Sequence, residues 1–273
     1  MKKLLFILLM AVSLVSCGEY QKVLNKGKNA ERYKLAEELY KKGEYKKAIP
    51  LFEKLTGPYA GKPQMERIQY MIADSYYNNK DYSLSSYYFT KFISNYPKSS
   101  KVEEAAFLSA YSYYLSTPKF SRDQTDTYKA LEALQSYINS YPNSSRIAEA
   151  NKYYDLLTRK LEKKDFEVAR QYYHTEYYRA AMVAFDIFNE EHLGSVFKED
   201  AVYYKFKAAH DLAINSVLTK KKQRLLDAKD VYDKFKKEFP DSDKLKEMDR
   251  LLKDIDQALE EYQNQILSIE AQK

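Results

Sequence analysis

One spacing recurs five times along this chain of 273 residues and limits what it can fold into. A small residue is followed, four and then seven positions later, by large apolar or aromatic ones. The copies are Ala48/Phe52/Leu55, Ser85/Phe89/Phe92, Ala130/Leu134/Tyr137, Ala181/Phe185/Phe188 and Ala228/Tyr232/Phe235. Such offsets put all three residues on one helix face. The small one lets a neighbouring helix approach, and the large ones fill the gap between helices. Twelve residues beyond it stand Pro97, Pro142 and Pro240 in the second, third and fifth copies, where a missing N–H and a ring clash end the helix. A partner helix precedes each copy, marked by Ala36-x₂-Leu39, Ala73-x₂-Tyr76, Ala110-x₂-Tyr113, Ala169-x₂-Tyr172 and, less clearly, Ala209-x₂-Leu212; the first three start 37 residues apart. The two small residues of a pair are 12 apart in the first, second and fourth copies, but 20 and 19 apart in the third and fifth. Insertions of eight and seven residues are therefore expected between those helices, and the first of them, "TPKFSRDQ", is rich in turn formers.

A period in the mid-thirties, paired helices and an A-x₃-F…P pattern are the signature of tetratricopeptide repeats. With only six glycines and no alternating apolar runs, no sheet is expected. The expected fold class is all-α: a solenoid of about five tetratricopeptide helix pairs with a C-terminal capping helix, each pair burying its apolar face only against its neighbours and leaving a concave surface open. Residues 146–174 are expected as one long linking helix, and an amphipathic helix from about Ser242 to Leu267 caps the array. The organisation is then a leader over 1–16, a tether over 17–29, repeats one to three over 30–144, and the linking helix, repeats four and five and cap over 145–273.

The leader has its own chemistry. Lys2 and Lys3 precede a stretch, Leu4 to Val15, that is apolar apart from Ser13, as in a secretory signal peptide. As a helix it would reach about 20 Å, short of the ~30 Å of a bilayer core, and no other apolar run approaches a spanning length. Leu14-Val15-Ser16-Cys17 resembles the bacterial lipobox, which implies cleavage before Cys17 and acylation (a palmitate-type lipid) of its sulfur and new amino end. Acyl chains contribute ~0.8 kcal/mol per buried CH₂, and two or more make a stable anchor. The competing reading is a plain secretory signal beside an incidental cysteine. Cys17 is the only cysteine, so no intramolecular disulfide forms and the core holds by packing alone. Gly18, rather than Asp, after the cysteine implies sorting to the outer membrane with the body on its periplasmic face. Residues 18–29 are polar enough for a flexible tether.

The formal charge of +6 becomes 6 − 2 = +4 without Lys2 and Lys3, and the charges of both signs interleave, so no nucleic-acid footprint is expected. "KKKQR" at 220–224 is the local exception, read either as a solvated loop or helix start or as a contact for anionic headgroups.

The chain has 28 Tyr, 13 Phe and no Trp. The tyrosine after the core position recurs as Tyr40, Tyr77 and Tyr114, again 37 apart, with Tyr173 following in the fourth repeat. In tetratricopeptide geometry that position, and those three and seven residues earlier (Glu37, Asp74, Tyr111; Tyr33, Tyr70, Phe107), tend to face the groove. Rigid rings with polar tips suit peptide recognition; the alternative is that these rings pack the helix seams. Chemistry for catalysis is not found. His174, His192 and His210 are 18 residues apart without ligand spacing, and neither a G-x-S-x-G elbow nor a phosphate loop occurs, so no enzyme, no metal and no cofactor are expected.

The order of local motifs carries a family resemblance. "GPYA" at 57–60, "FISNYPKSS" and "YINSYPNSSRIAEA" at the ends of the second and third repeats, and "DFEVARQYYHTEYYRAA" at 165–181, all behind a lipobox, resemble the BamD family of outer-membrane protein assembly lipoproteins. The resemblance implies a non-catalytic scaffold within the BAM complex. Repeats one to three would receive unfolded outer-membrane β-barrel substrates, and repeats four and five would dock on the periplasmic domains of the barrel-forming assembly protein beside other assembly lipoproteins. The Lys-rich fifth repeat and long C-terminal end depart most from the family. A glycan-binding lipoprotein and a cell-envelope or division scaffold are the rival readings; the absence of Trp speaks against the first, and partner identity separates the second.

Overall fold

The computed structural model describes residues 18–272, and these are helices and turns with no strand among them. Cys17 and the leader lie outside the described residues. After α1 (18–26) come α2 (Asn29–Lys41), α3 (Tyr45–Glu53), α4 (Gln64–Asn78), α5 (Tyr82–Asn95), α6 (Val102–Ser116), α7 (Thr125–Ser140), α8 (Ile147–His174), α9 (Tyr178–Glu191), α10 (Lys198–Ile214), α11 (Leu218–Glu238) and α12 (Leu245–Glu270). The five expected pairs are α2/α3, α4/α5, α6/α7, α8/α9 and α10/α11. The chain divides into two compact units, the first ending at Leu157 and the second starting at Thr158, within α8.

The triads read from the sequence form the core: all fifteen residues are at most 3% exposed. Ala36, Ala73, Ala110, Ala169 and Ala209, the small residues of the partner helices, are at most 2% exposed. At the one polar copy, Ser85 Oγ meets Ser112 Oγ of α6 at 3.0 Å, so a buried hydroxyl is satisfied by another from the next repeat.

Two turn devices repeat with the register. Where the helices of a pair are closely joined, the residue seven positions after the small one has a left-handed backbone: Gly43 (φ 75°), Lys80 (φ 64°) and Glu176 (φ 64°). Each donates its N–H three residues back (to Tyr40, Tyr77 and Tyr173 carbonyls), while the next N–H reaches five back, to Leu39, Tyr76 and Tyr172. This is a Schellman cap, which favours glycine at its left-handed position. At the end of each later pair an aromatic ring caps the second helix: Tyr96 on Phe92, Tyr141 on Tyr137, His192 on Phe188 and Phe239 on Phe235, with centroids 4.9–5.4 Å apart. Three residues on, Ser99, Ser144, Ser195 and Ser242 each accept, through Oγ, the backbone N–H two residues ahead at 3.1–3.2 Å, opening the next helix.

Three expectations need correction. Residues 18–26 are not a flexible tether but a helix. Tyr20 donates from its hydroxyl to the Lys47 carbonyl at 3.0 Å, and Val23 and Leu24 pack on the first repeat's core. Gly27 permits the turn into α2, because a Cβ there would stand 2.5 Å from the Val23 carbonyl oxygen. The fifth repeat's inserted residues do not separate its helices but lengthen the second, an α11 of 21 residues joined to α10 by a short turn, so that "KKKQR" is a helix start. Finally Tyr172, expected in a helix seam, is 42% exposed, as is its neighbour on the same face, Val168, at 49%. The third repeat's insertion is a loop as expected, tied by the buried Gln124 amide, which donates to the Lys119 and Arg122 carbonyls at 2.8 and 2.9 Å.

Candidate peptide-binding face

Three first helices, α2, α4 and α6, carry the expected site residues, and eight of the nine are half-buried with part of the side chain open. On α2, Tyr33 lies against Tyr59 at 5.8 Å and Glu37 takes an ion pair from Arg67 of α4 at 2.6 Å. Tyr40 donates its hydroxyl to Asp74 of α4 at 2.5 Å, and the Asn78 amide donates to the same carboxylate oxygen at 2.9 Å. Burial holds the Asp74 carboxyl above the usual carboxylate range even though these two donors favour its charged form. Burial likewise pushes the Tyr40 and Tyr70 phenols well up, so both are hydrogen-bonding neutral groups at physiological pH.

The row continues upward through rings. Tyr70 lies edge-on to Phe89 and Phe92, with the Lys101 ammonium over its face at 5.4 Å. Tyr77 leans on Tyr111 at 6.3 Å; Tyr111 and Tyr114 in turn flank Tyr153 of α8 at 4.7 and 4.4 Å. Phe107 is the exception. It is 4% exposed, lies edge-on to Tyr137 at 5.4 Å and is covered by the Arg146 guanidinium at 4.7 Å, so it is a core residue and not part of the open face. Most of these tyrosines thus seal a seam with one edge, as the packing alternative expects, and leave the other edge exposed.

Between the first two repeats the face deepens into a cleft of about 460 Å³. It is lined by Tyr40, Tyr70, Met71 and Phe92, and three cations, Lys41, Arg67 and Lys101, stand around it with one carboxylate, Glu66. Arg67 and Lys101 are committed to Glu37 and Glu104, whereas no carboxylate pairs with Lys41 among the described residues. An apolar aromatic floor with cations at its edge can take an aromatic or aliphatic side chain next to a carboxylate.

The second unit repeats the link with other partners. Tyr173 donates to Asp211 of α10 at 3.1 Å, with Lys207 over its ring at 5.8 Å; burial, then Asp211, push its phenol up to about 12. His192 is the ring cap already described and reaches Asp165 at 3.1 Å; His210 is buried beside Asp211 at 2.8 Å; His174 ends α8. Among the described residues no three His, Cys, Asp or Glu side chains converge as metal ligands, and no helix is long and apolar enough to cross a membrane.

Sequence reasoning missed Tyr153, Arg67 and Lys101. For Tyr153 a signal existed: Ala150-x₂-Tyr153 repeats the small-x₂-large pattern, and Ala150 is fully buried. A family model described as YfiO, outer membrane lipoprotein, matches residues 25–225, most of the chain, and ends inside α11. No curated protein matches the chain.

Proposed function

Because this chain belongs to the YfiO family of outer membrane lipoproteins, we propose that it is a non-catalytic scaffold subunit of the β-barrel assembly machinery. It is held on the periplasmic face of the outer membrane by acyl chains on Cys17. It binds unfolded outer-membrane proteins on the tyrosine face of its first three repeats. Repeats four and five dock on the periplasmic domains of the barrel-forming assembly protein, next to other assembly lipoproteins. The observation that carries the substrate role is the aromatic cleft edged by Lys41, Arg67 and Lys101, which suits the aromatic, carboxylate-ended strand of an unfolded barrel.

Docking through the second unit rests on the outward face of α9. Ala180, Val183 and Ile187 are exposed there, the last two at 59% and 48%. The equivalent positions of the other second helices are Lys47/Pro50/Lys54, Leu84/Tyr87/Lys91, Lys129/Glu132/Ser136 and Asp227/Asp230/Lys234, each with at least one charge. An uncharged apolar stripe on one repeat only is what a protein contact needs.

Affinity purification from detergent-solubilised outer membranes tests the reading. Stoichiometric recovery of a large β-barrel protein with repeated periplasmic domains is expected, and Val183→Glu with Ile187→Glu should abolish it. Lys41→Glu should weaken capture of a peptide ending in a barrel's last strand by about tenfold, the effect of ~1.4 kcal/mol, without loss of the barrel partner. Recovery of a glycan transporter, or of division proteins with no such barrel, overturns the proposal.

A further inference from the structure

The basic run of α11 is used by nothing described so far. Residues 212–226 contain four cations, Lys220, Lys221, Lys222 and Arg224, and no carboxylate. They occupy the first two turns of a helix with no acidic residue in its first turn, where the helix field disfavours positive charge. Two of the other second helices, α3 and α7, pair their early lysine: Lys47 with Glu44 at 2.7 Å and Lys129 with Asp126 at 3.0 Å. Among the described residues Lys220, Lys221 and Lys222 have no carboxylate partner, although lysines elsewhere in α10–α12 are extensively paired.

The cluster is firmly placed. Leu225 is fully buried, and Arg224 donates from Nη1 to Ser216 Oγ at 2.6 Å, tying the helix to the turn before it. Around the lysines two aliphatic side chains face outward, Val217 at 65% and Leu226 at 43% exposure. Aliphatic groups interspersed with long lysine stems suit a membrane interface, where the stems lie along apolar surface and the ammonium groups meet phosphates. A nucleic acid would want rings to stack on, and residues 212–226 contain none. For a member of an outer membrane lipoprotein family, the anionic surface always at hand is the membrane itself.

We propose that the α10–α11 turn, through Val217, Lys220, Lys221, Lys222 and Leu226, rests on the anionic phospholipid headgroups of the membrane that carries the protein. This contact is independent of the assembly role and survives that role's failure. It holds the second unit at the bilayer by charge, so salt releases it.

The full acylated protein, purified from outer membranes, is reconstituted into nanodiscs of phosphatidylcholine alone or with about a quarter phosphatidylglycerol. Amine-acetylation rates are then read lysine by lysine by mass spectrometry. With phosphatidylglycerol at low salt, Lys220, Lys221 and Lys222 are expected to react about fivefold more slowly than on neutral discs, and to recover when salt of about 0.5 M screens the surface. Exposed lysines such as Lys46 and Lys98 set the baseline. Equal rates on both discs overturn the proposal, as does equal slowing by inorganic phosphate with neutral discs, which would mean simple anion binding. In a second measurement, anionic discs should protect the backbone amides of 217–224 from hydrogen exchange. The protection should vanish with Lys220→Gln, Lys221→Gln and Lys222→Gln together and persist with the three arginine replacements; its persistence in the glutamine variant also overturns the proposal.

Discussion

In the first unit most polar links between repeats run through hydroxyls, Tyr40 to Asp74, Tyr76 and Tyr88 to Glu53, Ser85 to Ser112 and Thr90 to Ser109, with Arg67 to Glu37 an ion pair beside them. In the second, hydroxyl links such as Tyr173 to Asp211 and Tyr203 to Glu247 are joined by a set of lysine pairs: Lys205 to Asp186, Lys207 to Glu247, Lys229 to Asp256, and Lys244 to both Glu199 and Asp200. The cores beneath are built alike, a small residue against rings, so the difference lies in what joins one layer to the next. Hydroxyls join layers without adding charge and leave aromatic edges open, as the proposed substrate face would need. Lysine pairs join layers strongly only when partly shielded from water, and they leave a surface whose behaviour depends on salt.

The shared core gives the largest expected effect. Phe89→Ala and Phe185→Ala each empty a fully buried ring site, and each should cost about 3–5 kcal/mol. Hydrogen exchange should show the loss in the unit that carries the change; equal loss in both units would mean they unfold as one. The left-handed turns come next. Gly43→Ala should destabilise the first unit by about 1–2 kcal/mol, while Lys80→Gly and Glu176→Gly should stabilise their units by up to about 1 kcal/mol, read in denaturant melts.

Asp74 sharpens the hydroxyl side of the comparison. Its carboxyl is raised in the folded chain, so the stability it confers is full below the unfolded-state pKa and is lost as pH rises through the higher folded value. Asp74→Asn, which keeps an acceptor for Tyr40, should therefore gain stability relative to the parent as pH rises from about 4 towards neutrality. A difference that is flat with pH would refute the assignment. The smallest effect is salt. Because partly exposed pairs contribute about 0–1 kcal/mol each, 1 M NaCl should lower protection in the second unit by only a little, and in the first hardly at all.

Much of this architecture could be read from spacing. The triads, the partner alanines, the long helix and the cap were all visible, because core packing forces residue type at fixed intervals. The left-handed turns were not, since Lys80 and Glu176 are types that do not advertise such a backbone; only Gly43 does. The serine turn was legible as a serine fourteen residues after the small one in four repeats, and went unread. The fifth repeat's insertion was placed between its helices on length, although "KKKQR" could be read as a helix start and Lys, Gln, Arg and Leu are good helix formers. At the site, the register of 37 picked out the tyrosines, but not Arg67, Lys101 or Tyr153, which enter from neighbouring layers at other positions.

The docked α1 changes the reach of the whole molecule. A flexible segment of about twelve residues would let the body wander roughly 20 Å from its point of attachment, from ~5–6 Å × √n. With 18–26 folded onto the first repeat, the described chain holds no such free segment ahead of the repeats, and the proposed anchor at Cys17 would leave the body little of that radius. Under the proposed anchoring, the local concentration a partner meets would be set by encounters within the plane of the bilayer rather than by the sweep of a leash. A protein so held would wait for its partners to drift alongside, and lengthening the segment after residue 17 would trade that constraint for range.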